Sequence, residues 1–331
     1  MPALYYAGQI SVRVNALAQS YYQQKTFTNP FYQIPIAISS YIQLILWPDK
    51  LTLYHSEMTF SYAEYFLRLG AFLAFLIGVI YGFLKNKHVF FWLCLFIISL
   101  IPTLTPFGIS WIVAERYVYL GSVGILYIIG YLLTKLIKNN KTAGSLLFVA
   151  VTISLLTRTF IRNFDWKNED NLWIATGKTS PSDPKTHNNL GDVYRRQGNL
   201  EKSAEEFKIA LKLKPNYADV YHNLANTYTR MGKISDAIAT YQTAIKYNPK
   251  LWQSYENLAI IYFNQKHYDL AQKSIGKAIE INPGNANLHV DLGAIYWQIG
   301  NKGLAKQSFT EALKLDPQNA LAKNGMPQMN K

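Results

Sequence analysis

Asn189, Asn223, Asn257 and Asp291 stand 34 residues apart, and that fixed interval gives their side chains a joint chemistry. A carboxamide carries two N–H donors and an acceptor oxygen. Repeated at a constant rise, such groups offer hydrogen bonds to an extended backbone and hold polypeptide without reading its side chains. Asp291 puts a carboxylate where the fourth amide would be and disfavours an acidic peptide at that end. The same spacing is met by amides that tie neighbouring helices together, and both readings stand at this point. The six histidines, His55, His88, His187, His222, His267 and His289, show no metal-ligand spacing, so no metal residue is assigned. His187 and His289 share their interval with Tyr221 and Tyr255, which packing explains. Cys94 is the only cysteine and lies in an apolar run, which leaves no intrachain disulfide and no thiolate metal site. Neither a Gly-rich phosphate loop nor a Ser–His–Asp order is present, so no catalytic residue and no cofactor is evident.

The elements that must position the amides follow from the same period. Proline recurs at 181, 215, 249, 283 and 317. Leu190, Leu224, Leu258 and Leu292 keep that register, as do Tyr194, Tyr228, Tyr262 and Tyr296, and Ala210, Ala244, Ala278 and Ala312. Gly191, Ala225, Ala259 and Gly293 are all small, which lets two helix backbones approach. Gly198, Gly232 and Gly300 mark a turn, with Lys266 as the exception. A period of 34 is that of the tetratricopeptide repeat (TPR), a helix–turn–helix unit. Each Pro ends a helix, having no N–H for the ladder and disfavouring the α conformation just before it. Four repeats are expected at 184–217, 218–251, 252–285 and 286–319, with a leading half repeat from 165 and a polar cap over 320–331. Stacked repeats form a solenoid whose concave face binds partners. A polar residue one before the seam leucine belongs on that face, which makes a polypeptide the expected partner. The amides at these positions resemble the asparagine ladder with which O-GlcNAc transferase grips peptide backbone.

Residues 1–164 have a different character, with only Asp49, Glu57, Glu64 and Glu115 as acidic side chains. Four apolar stretches, Tyr65–Leu84, Val89–Leu104, Tyr117–Thr134 and Ala143–Ile161, approach the length needed to cross a bilayer. A fifth run, Phe31–Trp47, contains Pro35 and several polar residues and reads as an interfacial or re-entrant helix. The fold class is therefore all-α: polytopic transmembrane helices over 63–164, preceded by an extracytoplasmic segment over 1–62 and followed by a TPR α-solenoid over 165–331. Gly121 and Gly124 suit close helix packing inside the third span. Arg68 and Arg158 lie near span ends, where a long side chain snorkels or joins a phosphate site.

The formal net charge is +13. Twelve basic side chains face four acidic ones in residues 1–164, against 21 and 16 in 165–331, so the excess flanks the membrane helices and needs no nucleic acid. Lys85 and Lys87 follow the first span, and Lys135, Lys138 and Lys141 follow the third, whereas the loop between the second and third holds Arg116 beside Glu115. The positive-inside rule puts the lysine loops in the cytoplasm and the repeats outside, in an integral protein of the plasma membrane if the cell is bacterial. No basic n-region with an apolar h-region precedes residue 62 to carry it outward. The chain accordingly reads as the C-terminal part of a longer, N-terminally truncated membrane protein, the alternative being spontaneous translocation of its N-terminal tail.

Four segments at the join carry a resemblance. ILWPDKLTLYH spans 45–55, AERYVYL 114–120, RNFDWKNEDNLW 162–173 and HNNLGDVY 187–194. Their order over roughly residues 30–320 resembles the transmembrane and TPR-containing protein family (TMTC), whose members look like GT-C-type glycosyltransferases. The resemblance implies transfer of a sugar, mannose in the eukaryotic relatives, from a polyprenyl-phosphate donor to protein hydroxyls. It assigns Arg116 as a donor-phosphate ligand through a charge-assisted bidentate contact, with Glu115 orienting the guanidinium. The alternative for that pair is an interfacial ion pair that anchors the helix. GT-C enzymes place their essential carboxylate in the first outward loop, and no carboxylate here matches that motif. Two functions are thus expected: part of a polyprenyl-phosphate-dependent protein glycosyltransferase whose repeats bind the acceptor, or a non-catalytic membrane-anchored TPR adaptor. A transporter is disfavoured because no paired halves are visible.

Overall fold

The computed structural model describes residues 30–46, 61–104 and 115–325, without the side chains of 30–33, 102–104, 115–118 and 162. Every regular element among them is a helix. The chain divides into two compact units, residues 1–186 and 187–331.

The first unit holds α1 (Pro30–Leu46), α2 (Tyr62–Lys85), α3 (Lys87–Leu104), α4 (Glu115–Asn139), α5 (Lys141–Asp165) and α6 (Glu169–Thr179). Local hydrogen bonds fix where these helices begin. Ser61 Oγ accepts from the Glu64 amide at 3.2 Å while Glu64 Oε2 accepts from the Ser61 amide at 2.9 Å, a reciprocal cap that opens α2. Asn86 separates α2 from α3, and its Oδ1 accepts from the Val89 amide at 3.3 Å. Asn140 plays the same part between α4 and α5, accepting from the Ala143 amide at 3.0 Å. Each asparagine satisfies an N–H that the new helix would leave without a partner.

The core of this unit is narrow. Ala37, Ile38 and Tyr41 of α1 pack with Phe75, Leu93, Phe96, Leu100 and Ile125. A Cβ at Gly121 would lie 3.0 Å from Phe96 Cδ2, so the absent side chain lets α4 press on α3. Most large apolar side chains of α2 and α5, among them Leu67, Ile77, Leu146, Ile153 and Phe160, point away from the protein. Tyr62–Lys85, Tyr119–Asn139 and Lys141–Asp165 are long and apolar enough to cross a membrane. The helix corresponding to the second expected span is the shorter one, with an apolar stretch of Lys87–Ile101. α1 coincides with the run expected at an interface or re-entrant, and its residues 35–41 are buried without interruption. The extracytoplasmic segment assigned to 1–62 lies mostly outside the described residues.

The second unit begins within α7 (Pro184–Arg196) and continues through α8 (Leu200–Leu213), α9 (Ala218–Arg230), α10 (Ile234–Tyr247), α11 (Trp252–Asn264), α12 (Tyr268–Ile281), α13 (Ala286–Gln298), α14 (Lys302–Leu315) and α15 (Ala320–Gly325). The helices follow one another as the pairs α7–α8, α9–α10, α11–α12 and α13–α14. The compact boundary falls at 186/187, later than the expected start of the repeats at 165, and α6 packs against α5.

Seam residues are buried as their period requires: Leu190, Leu224, Leu258, Ala210, Ala244, Ala278 and Ala312 are each 6% exposed or less. Inside each repeat the small residue of the first helix meets one large residue of the second. A Cβ on Gly191 would come within 2.6 Å of the Phe207 ring, and one on Gly293 within 3.0 Å of the Phe309 ring. Where the small residue is alanine its partner is Tyr241 or Ile275 instead. The turns between paired helices require a left-handed residue. Gly198, Gly232 and Gly300 supply φ of 80°, 74° and 83°, and Lys266, which interrupts the glycines in sequence, adopts φ 63° all the same. A Cβ there costs on the order of 1–2 kcal/mol, so stacking, not the local residue, sets that turn. α15 closes on the last repeat, with Ala322 buried and the Asn319 side chain donating to Asn287 Oδ1 at 2.9 Å.

Candidate functional site

The first helices of the repeats, α7, α9, α11 and α13, turn their leucines into the seam and the preceding residue outward. Residues three and seven further on share that outward face. Asn223, Asn226 and Arg230 therefore form one stripe on α9, and Asn257, Ile260 and Asn264 the next on α11. Between them lies a recess of about 450 Å³ that also reaches Arg195 and Tyr241. A second recess of about 330 Å³ follows on α11 and α13 and includes Asp291 and Ile295. Ile260 and Asn264 line both, so the two form one trough.

The expected amide ladder lies on or beside this trough, and its members do not bond to one another. Asn223 Nδ2 donates to Asn188 Oδ1 of the preceding repeat at 2.9 Å. Asn257 Nδ2 donates to Asn226 Oδ1 at 2.8 Å, and the Tyr241 hydroxyl bonds to that same oxygen. The amides thus tie adjacent repeats while remaining half-buried. Asn189 makes no side-chain hydrogen bond with the described residues. All four ladder positions remain half-buried, and of them Asn257 and Asp291 line the recesses. His222 Nδ1 sits 2.9 Å from Ser254 Oγ, another bond across repeats. Burial holds the His222 imidazole below its usual pKa, opposed by the nearby Asp219.

Charge is unevenly distributed along the trough. Arg195 lies at one end, its Nη2 2.8 Å from Asp192 Oδ1, and Arg230 donates to the Arg195 carbonyl at 2.9 Å. Asp291 lies at the other. Burial, with the charge of Glu256 beside it, pushes its carboxyl up to about 6. Burial likewise raises Glu256 above the usual range. Sequence reading found Asp291 and missed Asn226, Arg195, Arg230 and Ile260. Their repeat positions change type from one unit to the next: Asp192, Asn226, Ile260 and Ala294 occupy one, and Arg195, Thr229, Phe263 and Trp297 another. The available signal was the i, i+3, i+7 stripe through Asn223 and Asn257.

The second set of expected site residues lies elsewhere. Glu115 opens α4 with Arg116 next to it, and both side chains fall outside the described residues. In the same unit Arg68 donates to Ser40 Oγ at 2.8 Å and to Gln43 Oε1 at 3.1 Å, which binds α2 to α1. No group of three potential metal ligands occurs among the described residues.

Residues 191–232 and 225–266 match a family model described as TPR repeat, and 252–285 and 286–319 match models described as tetratricopeptide repeat. Among curated proteins the chain is 32% identical over 145 residues to protein O-mannosyl-transferase Tmtc2 of Drosophila melanogaster, covering 40% of this chain and 15% of that protein. It is 27% identical over 162 residues to protein O-mannosyl-transferase TMTC3 of Homo sapiens, covering 48% of this chain and 17% of that one. The chain thus spans less than a fifth of the length of these relatives. Among solved structures, MamA matches with TM-score 0.42 at 24% identity, over 46% of this chain and 88% of MamA. YrrB, described as a TPR protein with an unusual peptide-binding site, matches with TM-score 0.41 at 18% identity, over 59% of this chain and 97% of YrrB. The chain carries tetratricopeptide repeats over residues 191–319 together with candidate membrane helices, and it is similar to the TMTC O-mannosyl-transferases.

Proposed function

We propose that the trough of the repeat unit binds an extended polypeptide and presents it as acceptor to a membrane-bound protein glycosyltransferase of the O-mannosyl type, of which this chain is a part. The observation that carries the binding half is the trough itself, lined by the half-buried amides of Asn226 and Asn257 between Arg230 and Ile260. Asn189, Asn223, Asn257 and Asp291 are its proposed polypeptide contacts. The transfer half rests on the similarity to the TMTC relatives. In that reading a polyprenyl-phosphate sugar is the donor, with Arg116 and Glu115 at its phosphate. In that reading the chain crosses the membrane four times with the lysine loops inside, and the positive-inside rule supports an extracytoplasmic position for the repeats.

Asn189 separates peptide binding from helix tying, because it has no neighbour to tie among the described residues. Asn189→Ala is expected to weaken binding of an unstructured Ser/Thr-rich peptide by about 0.5–1.5 kcal/mol with an unchanged melting curve. Adding Asn223→Ala and Asn257→Ala lowers affinity further and melting modestly. Lower melting with undiminished affinity would overturn the contact set. Protease added to intact cells is expected to trim the repeats, and full protection until lysis would reverse the orientation.

A second reading, a membrane-anchored adaptor without transferase action, is favoured by one observation: every residue lining the trough belongs to the repeat unit. Transfer of radiolabelled mannose from a polyprenyl-phosphate donor, present only in membranes containing the protein, favours the transferase.

A further inference from the structure

We propose that the trough selects a segment of split charge: an acidic side chain against Arg195 and Arg230, apolar residues over Ile260 and Ile261, and a basic side chain against Glu256 and Asp291. This rests on the reading of the trough as a polypeptide site.

The polarity follows from the charges that stand at the two ends of the trough. At the first end Asp192 engages Arg195 through one oxygen, 2.8 Å from Nη2 and 3.3 Å from Nε. Arg230 is anchored by the Arg195 carbonyl, and no carboxylate among the described residues pairs with it. A guanidinium held by its own chain keeps N–H groups free for a ligand carboxylate and loses little freedom on binding. At the other end Asp291 lines the second recess, with Glu256 on the first helix of the preceding repeat, and no basic side chain among the described residues pairs with either. A ligand ammonium or guanidinium there would meet uncompensated negative charge. The trough between the ends is lined by Ile260 and Ile261 in the first recess and Ala294 and Ile295 in the second. Those side chains take apolar side chains and reject charge. Arg230 and Asp291 lie two repeats apart. With packed helices about 10 Å apart and an extended chain rising about 3.3 Å per residue, roughly five to seven residues of ligand separate the two charges.

The test uses the full chain in detergent micelles and fluorescence anisotropy of labelled peptides of equal length with one apolar centre. One peptide is acidic at one end and basic at the other, made in both orders because the charges do not set chain direction. Two others are acidic at both ends or uncharged. The split-charge peptide, in one order at least, is expected to bind about tenfold tighter than either control. Arg230→Gln, and separately Glu256→Gln with Asp291→Asn, are expected to bring it down to the level of the uncharged peptide measured on the same variant. Equal affinities for all peptides, or variants that leave the ranking unchanged, overturn the charge selection while keeping the polypeptide site. Failure of every peptide to bind, with the repeats shown folded by circular dichroism, overturns the site and the inference together.

Discussion

The two units are built from helices of similar regularity and bury them by opposite means. In the first, α2 and α5 keep most of their large apolar side chains on the outside, and the protein's own core is a short seam of aromatic and aliphatic residues around Phe96. In the second, the core is a series of small clusters, each linking a repeat with its neighbour. The difference shows what supplies the missing contacts. Repeat helices find them in the next copy of the same sequence pattern, so small residues at fixed intervals are the design rule. Helices that cross a membrane find them in lipid, so for such candidate helices hydrophobicity around the whole circumference suffices and no period is needed.

The largest test of that contrast is one substitution made twice. Ile153 on α5 is 58% exposed and Ile209 on α8 is 40% exposed. Ile153→Lys is expected to cost about 2.5–3.5 kcal/mol of membrane insertion, read as the inserted fraction in a translocation assay. Ile209→Lys stays within about 0.5 kcal/mol in thermal melting, because water already surrounds it. Full insertion of the Ile153→Lys chain would mean that α5 does not face lipid.

A smaller effect sharpens the comparison at glycine. Gly191→Ala drives a methyl into the Phe207 ring and is expected to destabilise the repeats by about 1–3 kcal/mol. Gly130→Ala on α4 meets nothing within 4 Å and is expected to be neutral or to stabilise that helix by up to about 1 kcal/mol. Equal melting of Gly191→Ala and parent protein would mean that the Phe207 ring is free to withdraw.

The smallest expected effect concerns pH and belongs to the repeats alone. The Asp291 carboxyl is raised to about 6 from its ordinary 3.8 by burial and the adjacent Glu256. The folded state therefore holds this proton more tightly than the unfolded chain does. Its contribution to stability is greatest below about pH 4, falls as pH rises towards 6, and is constant above. Asp291→Asn is expected to melt higher than the parent at pH 7.5 and to lose that advantage as pH approaches 4. An advantage that persists at pH 4 would assign it to packing.

The same contrast explains what was legible in the sequence. Helix pairs, seam and turns could be read because Leu190, Tyr194, Ala210 and Pro215 each recur in one register. Lys266 shows how far that logic extends, since the turn keeps its left-handed residue even where the glycine is gone. The trough was legible only where it borrows the period, at the asparagines. Arg195, Arg230 and Ile260 escaped because a surface that distinguishes ligands must differ between repeats, and a search for sameness passes over it. In the first unit the apolar helices could be read from composition. The burial of α1 could not, because Ile36, Ala37, Ile38 and Tyr41 form no stripe that hydrophobicity distinguishes from a lipid-facing one.

The pairing of Gly191 with Phe207 and of Gly293 with Phe309 bears on how such an array can be rearranged by recombination. The two partners sit sixteen residues apart inside one 34-residue unit, and the middle units use alanine opposite Tyr241 or Ile275 instead. A crossover that falls between units moves both partners together and preserves the fit. One that falls inside a unit, between its two helices, sets alanine against phenylalanine or glycine against isoleucine, a clash in one product and a void in the other. Deletions and duplications tolerated in this gene segment should therefore begin and end near the prolines, making the proline-bounded unit the block that is inherited.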